Sequence, residues 1–130
     1  MVLAMLSNLH RSLTVAAVER ATAVNDDGDH TVGAALLTRT GTIVTGVNAF
    51  HFLGGPCAEV TALANHAAAH QDDPVVAVAA AYGPTADVLP PCGKCRQVLF
   101  DLDPSIACIV RTENGFIAAP VRELLPYACL

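Results

Sequence analysis

Two of the predicted helices begin with a cysteine that directly follows proline. The first start is GGPCAEV (54–60) and the second is PPCGKC (90–95). Proline suits the first turn of a helix, because its missing N–H would find no partner there. A C-x-x-C at a helix start can turn both sulfurs toward one point, and a cysteine at a second helix start can meet them there. If the three cysteines form one site, the fold has to bring the two helix starts, at residues 57 and 92, together.

The hydrophobic pattern predicts a single domain over residues 1–130, with helices and strands that alternate in the second half. Asn8 is a candidate cap of the first helix, and residues 25–29 are a predicted loop. Alternating strands and helices favour an α/β sheet with helices on its faces. The predicted strands are 32–38, 42–48, 75–82, 106–111 and 115–119, and the predicted helices are 8–24, about 57–70, one from about 92 and a short one at 122–125.

Charge and composition exclude several classes of protein. The formal net charge is -5, with six arginines and one lysine, Lys94, and no basic run. A nucleic-acid-binding surface is therefore not expected. The hydrophobic fraction of 53% excludes a disordered chain. It also predicts that another subunit covers part of the apolar surface.

The cysteines are interpreted for a reducing compartment. No stretch reaches the roughly 20 apolar residues that span a bilayer, and the start lacks the basic region of a secretory signal. We therefore expect a cytoplasmic protein without membrane contact, in which thiols stay reduced. Each of the five cysteines is then a core residue, a metal ligand or a reactive group.

Cys57, Cys92 and Cys95 are candidate ligands of one zinc ion. Catalytic zinc has three protein ligands and one open position for water, a count that three thiolates satisfy. Two alternatives remain: a redox C-x-x-C pair, and a structural zinc with a fourth ligand that is hard to nominate. Cys108 lies within a predicted strand and is interpreted as a core residue, and Cys129 as a free thiol.

Glu59 is the candidate catalytic residue. It follows Cys57 by two positions, where a carboxylate can take a proton from a zinc-activated water and pass it to a substrate nitrogen. The pattern ligand-x-Glu followed by Pro-Cys-x-x-Cys is typical of zinc deaminases, in which the glutamate does not bind the metal. The alternative is a capping glutamate beside unrelated thiols.

Other polar residues near these motifs have weaker predicted roles. His66 and His70 lie roughly 13 and 20 Å along the helix from Cys57, too far to share its metal, so we expect a surface or interface pair. His51 is either a pocket residue or an ordinary loop histidine. Because three thiolates leave the zinc site with about one negative charge, we expect two helix N-termini and a hydrogen bond from Arg96 to a thiolate to offset it.

The chain resembles the cytidine deaminase superfamily at VGAALLT, TGVN, HFLGGPCAEV, PCGKCRQVLFDLDP and RELLP, in that order. The HF-x-GGPCAE segment and DL-x-P-x-I favour its blasticidin S deaminase branch. The resemblance implies a three-layer α/β/α fold with a mixed five-stranded sheet, and a homotetramer. It also implies zinc on Cys57, Cys92 and Cys95 and proton transfer by Glu59.

The resemblance further implies that the Asn48 side chain and the Ala58 backbone hold a small cytosine nucleoside. The reaction would be attack of activated water on C4 of the ring, with ammonia released and uracil left. Three positions depart from the family. Phe50 stands where a glutamate usually accepts a ribose hydroxyl, His30 stands where an aromatic residue often flanks the base, and Val60 replaces an arginine.

We therefore predict a zinc-dependent hydrolase that deaminates blasticidin S, cytidine or deoxycytidine. Two alternatives stay open. One is deamination of another amino-heterocycle, and the other is a zinc-stabilised binding module without catalysis. Glu59 argues against the binding module, because a purely structural zinc has no need of a carboxylate beside it.

Overall fold

The structure is a computed structural model that describes residues 6–24 and 27–130. A mixed β-sheet forms its centre. The strands run in the order β2-β1-β3-β5-β6, and only the β3–β5 pair is parallel within that row. The elements are α1 (Asn8–Thr22), β1 (Val32–Thr38), β2 (Ile43–Val47), α2 (Ala58–His70), β3 (Val75–Tyr82), β4 (Asp87–Leu89), α3 (Gly93–Leu102), β5 (Ala107–Thr112), β6 (Gly115–Pro120) and a closing 3-10 helix (Val121–Leu124).

Helices cover both faces of this sheet, which confirms the predicted three-layer α/β/α fold. Side chains alternate along a strand, so neighbouring residues belong to different cores. Ala34 and Leu36 of β1 lie in the core beneath α2 and α3, whereas Ala35 and Leu37 lie in the core beneath α1. Both faces of β1 and β3 are therefore buried, which explains their continuously apolar sequences.

Two glycines let the helices approach the sheet closely. A Cβ at Gly33 would lie 2.4 Å from the backbone nitrogen of Ala21 in α1. A Cβ at Gly46 would lie at the same distance from the backbone nitrogen of Ala62 in α2. The second contact sets the height of α2 above β2, and with it the position of the cysteine at the start of α2.

The sheet has a sixth short strand, in the proline-containing stretch between the predicted strand 75–82 and the predicted helix from about residue 92. This strand, β4, pairs with β3 through Ala80–Leu89, Ala81–Val88 and Tyr82–Asp87. It lies beside the later part of β3, while β5 pairs with Ala77 and Val78. Three residues are too few for an alternating pattern to stand out in the sequence, so the five-strand prediction holds for the main row only.

The ends of several elements differ from the predicted ends. The cap of α1 is Ser7, whose hydroxyl accepts from the backbone N–H of His10, so Asn8 is the first helical residue rather than the cap. This helix ends at Thr22. Two residues of the predicted 25–29 loop, 25 and 26, lie outside the described residues. Within the described ranges, no helix combines the length and apolarity needed to cross a bilayer.

Candidate functional site

A cavity of about 390 Å³ opens where α2 and α3 begin. The sheet contributes one wall, with Val32 of β1, Ala80 of β3 and Leu89 of β4. The other lining residues come from the loop before α2, the first turn of α2 and the segment before α3: Asn48, Ala49, Phe50, His51, Gly54, Gly55, Pro56, Cys57, Ala58, Glu59, Pro90 and Cys92.

The three predicted zinc ligands meet at this cavity. Cys57 and Cys92 each occupy the N-cap position of their helix, with extended backbone and no side-chain capping hydrogen bond. Cys95 is the third residue of α3. The three sulfur atoms lie within 4.8 Å of one another, although 35 residues separate Cys57 from Cys92. Because neither N-cap sulfur is used in capping, both are available to a metal.

The spacing of these sulfurs fits zinc. In a tetrahedral site with Zn–S bonds of about 2.3 Å, two sulfurs lie about 3.8 Å apart. The Cys57 and Cys92 sulfurs are 3.7 Å apart. Cys57, Cys92 and Cys95 are also the only group of three or more metal-binding side chains found in the described ranges. The donor set therefore supports the predicted zinc site.

Burial and hydrogen bonding shift the pKa values of the three thiols in different directions. Burial raises the pKa of Cys57, and a hydrogen bond with Cys92 adds to this. Burial and the nearby Glu59 raise the pKa of Cys95 well above its ordinary value. Burial opposes ionisation of Cys92 too, but hydrogen bonds from Cys95 and Cys57 lower its pKa overall. Zinc binding therefore has to displace protons from Cys57 and Cys95, whose pKa values are raised.

Glu59 is a buried carboxylate on the wall of the same cavity. Its side chain belongs to the second residue of α2, and the residue is only 5% exposed. Burial raises the pKa of Glu59, while hydrogen bonds from its own backbone N–H and from the Cys95 thiol oppose that rise. A carboxylate in this setting, beside three metal-binding thiols, can carry a proton between a water and a bound molecule.

Asn48 also lines the cavity, and the structure shows how its side chain is oriented. Its Oδ1 accepts from the backbone N–H groups of Thr31 and Val32, at 2.8 and 2.9 Å. Val32 is the first residue of β1 and Thr31 directly precedes it, so the amide is anchored to the sheet. Its NH₂ group donates to no described residue, and this geometry is compatible with the predicted role in substrate binding.

The loop between Asn48 and Cys57 is closed by its own backbone. The N–H of Ala49 donates to the carbonyl of Pro56 at 3.1 Å. A Cβ at Gly55 would lie 1.7 Å from the carbonyl oxygen of Ala49, so only glycine fits there. Phe50 and His51 lie in this loop and line the cavity, which confirms a pocket position for His51.

Two predicted site residues have contacts that differ from the expected ones. His30 lies outside the cavity lining, and its Nδ1 is 3.1 Å from an Asp27 carboxylate oxygen. The guanidinium of Arg96 donates to the carbonyls of Pro91 and Leu124, at 2.7 and 3.0 Å, and to no thiolate of a described residue. Substrate contact by His30 and a thiolate bond from Arg96 therefore stay predictions. Arg96 does anchor the segment that leads into Cys92.

The structure agrees with the predicted core position of Cys108, the predicted free thiol of Cys129 and the exclusion of His66 from the metal site. Cys108 is fully buried in the core, where burial raises its pKa to about 12. Cys129 is exposed and free. His66 lies outside the thiol cluster, and its Nε2 contacts the Asp73 carbonyl at 2.7 Å.

Sequence reasoning missed part of the cavity wall. Val32, Ala80 and Leu89 come from three different strands, and local sequence carries no signal that they meet. Gly54, Gly55 and Pro90 are lining residues as well. The GGP segment before Cys57 and the two prolines before Cys92 mark these residues in the sequence, but both patterns were used only to predict helix starts.

Comparison with known proteins agrees with the zinc site that the geometry supports. The family described as "Cytidine and deoxycytidylate deaminase zinc-binding region" matches residues 7–115. The blasticidin-S deaminase of Bacillus cereus is 31% identical over 122 residues, which cover 88% of this chain and 87% of the relative. A cytidine deaminase of Halalkalibacterium halodurans is 38% identical over 101 residues, 75% of each chain.

Solved structures of cytidine deaminases share the fold. The enzyme from Mycobacterium leprae superposes with a TM-score of 0.71 at 30% identity, covering 90% of this chain and 97% of that one. The enzyme from Mycobacterium tuberculosis gives 0.73 at 28% identity, covering 92% and 95%. The chain therefore belongs to the zinc-binding cytidine and deoxycytidylate deaminase family, whose members are hydrolases of C–N bonds, and Cys57, Cys92 and Cys95 are positioned to hold its zinc.

Proposed function

We propose that this protein removes the exocyclic amine from the cytosine ring of a nucleoside by hydrolysis, giving the uracil product and ammonia. One observation supports this above all: a buried carboxylate, Glu59, lines a nucleoside-sized cavity together with Cys57 and Cys92, two of the three thiols that lie at zinc spacing. A binding module has no use for that carboxylate, whereas a hydrolase needs a group that moves protons.

Several residues of the cavity have roles in the proposed reaction. When bound, zinc supplies the Lewis acid that activates the attacking water. Glu59 takes a proton from that water and delivers it to ring N3, and then transfers a second proton to the leaving amine. The Asn48 NH₂ group and the backbone at Ala58 orient the nucleoside. The apolar wall of Val32, Ala80 and Leu89 excludes bulk water from the base.

The substrates we propose are blasticidin S, cytidine and deoxycytidine. Phe50 bears on the choice among them, because its phenyl ring lines the cavity and cannot accept a hydrogen bond from a ribose hydroxyl. The absence of this hydrogen-bond acceptor weakens the binding of a nucleoside with a modified sugar less than it weakens the binding of cytidine. Similarity to a blasticidin-S deaminase along 88% of the chain supports the same preference.

Ammonia release from the wild type and Glu59→Gln tests the proposal. We expect the substitution to lower turnover by about 100-fold or more, because general acid–base catalysis contributes that much, while zinc content stays unchanged. Glu19→Gln is the matched control, since Glu19 is exposed on α1. Equal activity of the wild type and Glu59→Gln would contradict the proposed role of the carboxylate.

A substrate panel separates this function from its alternative. The panel contains blasticidin S, cytidine, deoxycytidine, free cytosine and adenosine, each followed by ammonia release. Turnover of adenosine alone would support deamination of another amino-heterocycle. The net charge of -5 disfavours an RNA-borne substrate, because phosphates would be repelled.

We also propose that the protein works as a homotetramer in the cytoplasm. Several large apolar side chains near the cavity loop and the C-terminus are exposed in a single chain, and a subunit interface would cover them. They are Phe50 at 64%, Phe52 at 83%, Leu53 at 80% and Tyr127, which is fully exposed. The zinc-binding thiols must stay reduced, which a cytoplasmic location provides.

A further inference from the structure

Access from the cavity differs among the three zinc-binding thiols. Cys57 and Cys92 line the cavity, whereas Cys95 is not among its lining residues and is fully buried. Cys92 is exposed and Cys57 is half-buried. A small solute that enters the cavity therefore reaches the first two cysteines and not the third.

The two accessible sulfurs are also close enough to react with each other. The Sγ atoms of Cys57 and Cys92 lie 3.7 Å apart, in a contact in which either thiol can be the donor. A disulfide bond is about 2.05 Å long, so the sulfurs have to approach by about 1.7 Å to form one. Because they are already in contact, nothing has to be displaced from between them.

The third thiol is engaged elsewhere. Cys95 follows Cys92 by three positions, so a bond between these two is the one that the C-x-x-C pattern alone would predict. The Cys95 thiol, however, donates to the buried carboxylate of Glu59. Oxidation of Cys95 would take this donor from a buried acceptor, and leaving such a group with fewer partners is costly. The structure therefore favours Cys57 over Cys95 as the partner of Cys92.

We propose that Cys57 and Cys92 are an oxidative modification site, at which a peroxide joins the two sulfurs in a disulfide and zinc is released. A disulfide sulfur is no longer a thiolate, so Cys95 would be left as the one protein ligand of a metal that needs at least three. The inference rests on the zinc ligand set and goes beyond the proposed reaction, because it gives two of the ligands a second role.

The reaction balances with hydrogen peroxide as the oxidant. The exposed Cys92 thiolate attacks one peroxide oxygen: an S–O bond forms, the O–O bond breaks and hydroxide leaves, which gives a sulfenic acid. The Cys57 thiolate then attacks the Cys92 sulfur, the S–S bond forms, and the S–O bond breaks to release a second hydroxide. Two thiolates and one peroxide thus give one disulfide and two hydroxides, and two electrons pass from sulfur to oxygen.

Peroxide treatment of the zinc-loaded Cys129→Ser protein tests the inference. This background removes the exposed thiol outside the zinc cluster. We expect loss of two of the four remaining thiols and release of one zinc ion per disulfide, followed with a chromophoric chelator. After alkylation and digestion, mass spectrometry should find Cys57 linked to Cys92, with Cys95 and Cys108 alkylated. A link between Cys92 and Cys95, zinc release without a disulfide, or no loss of thiols would overturn the inference.

Reversibility tests the role of Cys57 separately. A dithiol reductant should return both thiols and full zinc binding to the oxidised Cys129→Ser protein. Adding Cys57→Ser to this background keeps a favoured N-cap residue at the start of α2 but removes the partner of Cys92. We expect Cys92 then to be oxidised further, to a sulfinic acid that the reductant does not restore. Fully reversible oxidation in the Cys57→Ser variant would overturn the inference.

Discussion

Cys57 and Cys92 share the same local position, the N-cap of a helix. In each helix, the carbonyl of the cysteine accepts the first backbone hydrogen bond. The N–H of Thr61 donates to Cys57 and that of Arg96 to Cys92, at 3.1 and 2.9 Å. The serine or aspartate usual at this position would use its side chain to cap the helix. A cysteine there leaves its sulfur free at the positive end of the helix, where a thiolate is favoured.

Replacing one of these sulfurs should weaken zinc binding and leave the fold intact. We expect Cys92→Ser to weaken zinc binding by more than tenfold, because even residues that only support a metal ligand typically contribute ten- to 100-fold. Zinc per chain after dialysis against a chelator measures the effect. Cys129→Ser is the matched control, since Cys129 is exposed, free and outside the thiol cluster. Equal zinc retention by both variants would contradict the assigned ligand set.

At the scale of elements, the position of α2 depends on a glycine in the strand beneath it. A Cβ at Gly46 would lie 2.4 Å from the backbone of Ala62, and backbone cannot move aside as a side chain can. Because α2 also carries Glu59 and follows Cys57, a displacement of this helix changes the catalytic site as well as the core.

We therefore expect Gly46→Ala to lower the free energy of unfolding by about 1–3 kcal/mol, as overpacking usually does, and to weaken zinc binding as well. Denaturant unfolding and a chelator competition measure the two effects. Gly93→Ala is the control: nothing lies within 4 Å of a Cβ there, and its position in α3 favours alanine. Its stability should be unchanged or slightly raised, and a similar loss in both variants would contradict the packing argument.

Asp73 joins the α2–β3 turn to the β1–β2 turn and makes stability depend on pH. The hydroxyl of Thr38, followed by that of Thr40, holds the pKa of Asp73 below its ordinary value of 3.8, and the Thr40 N–H donates to it at 3.1 Å. Since the folded pKa is the lower one, the charged carboxylate stabilises the fold above the unfolded value. This contribution is lost as pH falls through the folded pKa.

Asp73→Asn should therefore lower Tm at pH 7, with a difference from the wild type that narrows below about pH 4. Thermal unfolding at several pH values measures this. Asp72→Asn removes the same charge one residue earlier, where the side chain has no hydrogen bond to any described residue, and should leave Tm nearly unchanged. A difference for Asp73→Asn that persists undiminished at pH 3 would rule out the ionised carboxylate as its cause.

At the scale of the whole molecule, the proposed tetramer predicts a mass of four 13.4 kDa chains in light scattering. Leu53→Asp should shift the protein to smaller species without unfolding it, because it places a charge on an apolar side chain that is 80% exposed in a single chain. Asn114→Asp adds the same charge in an exposed turn and should not change the mass. A monomeric wild type would contradict the proposed assembly.

The sequence by itself determined the α/β class, the order of the elements apart from the short strand β4, the three thiols positioned for zinc, and the place of Glu59 beside them. All of these depend on local spacing: hydrophobic periodicity, proline before a helix, and the positions of a few residues within one helical turn. The errors at the ends of α1, with Asn8 as cap and the helix extended to residue 24, are shifts of one or two residues.

Only the tertiary structure decided what lies across the cavity from those motifs. The Asn48 side chain is oriented by backbone N–H groups at the entry to β1, and the Leu53 N–H donates to His51. Arg96 donates to the carbonyls of Pro91 and Leu124 rather than to a thiolate. Val32, Ala80 and Leu89 meet through the register of three strands. Strand register follows from how the whole core packs, and no local pattern in the sequence contains it.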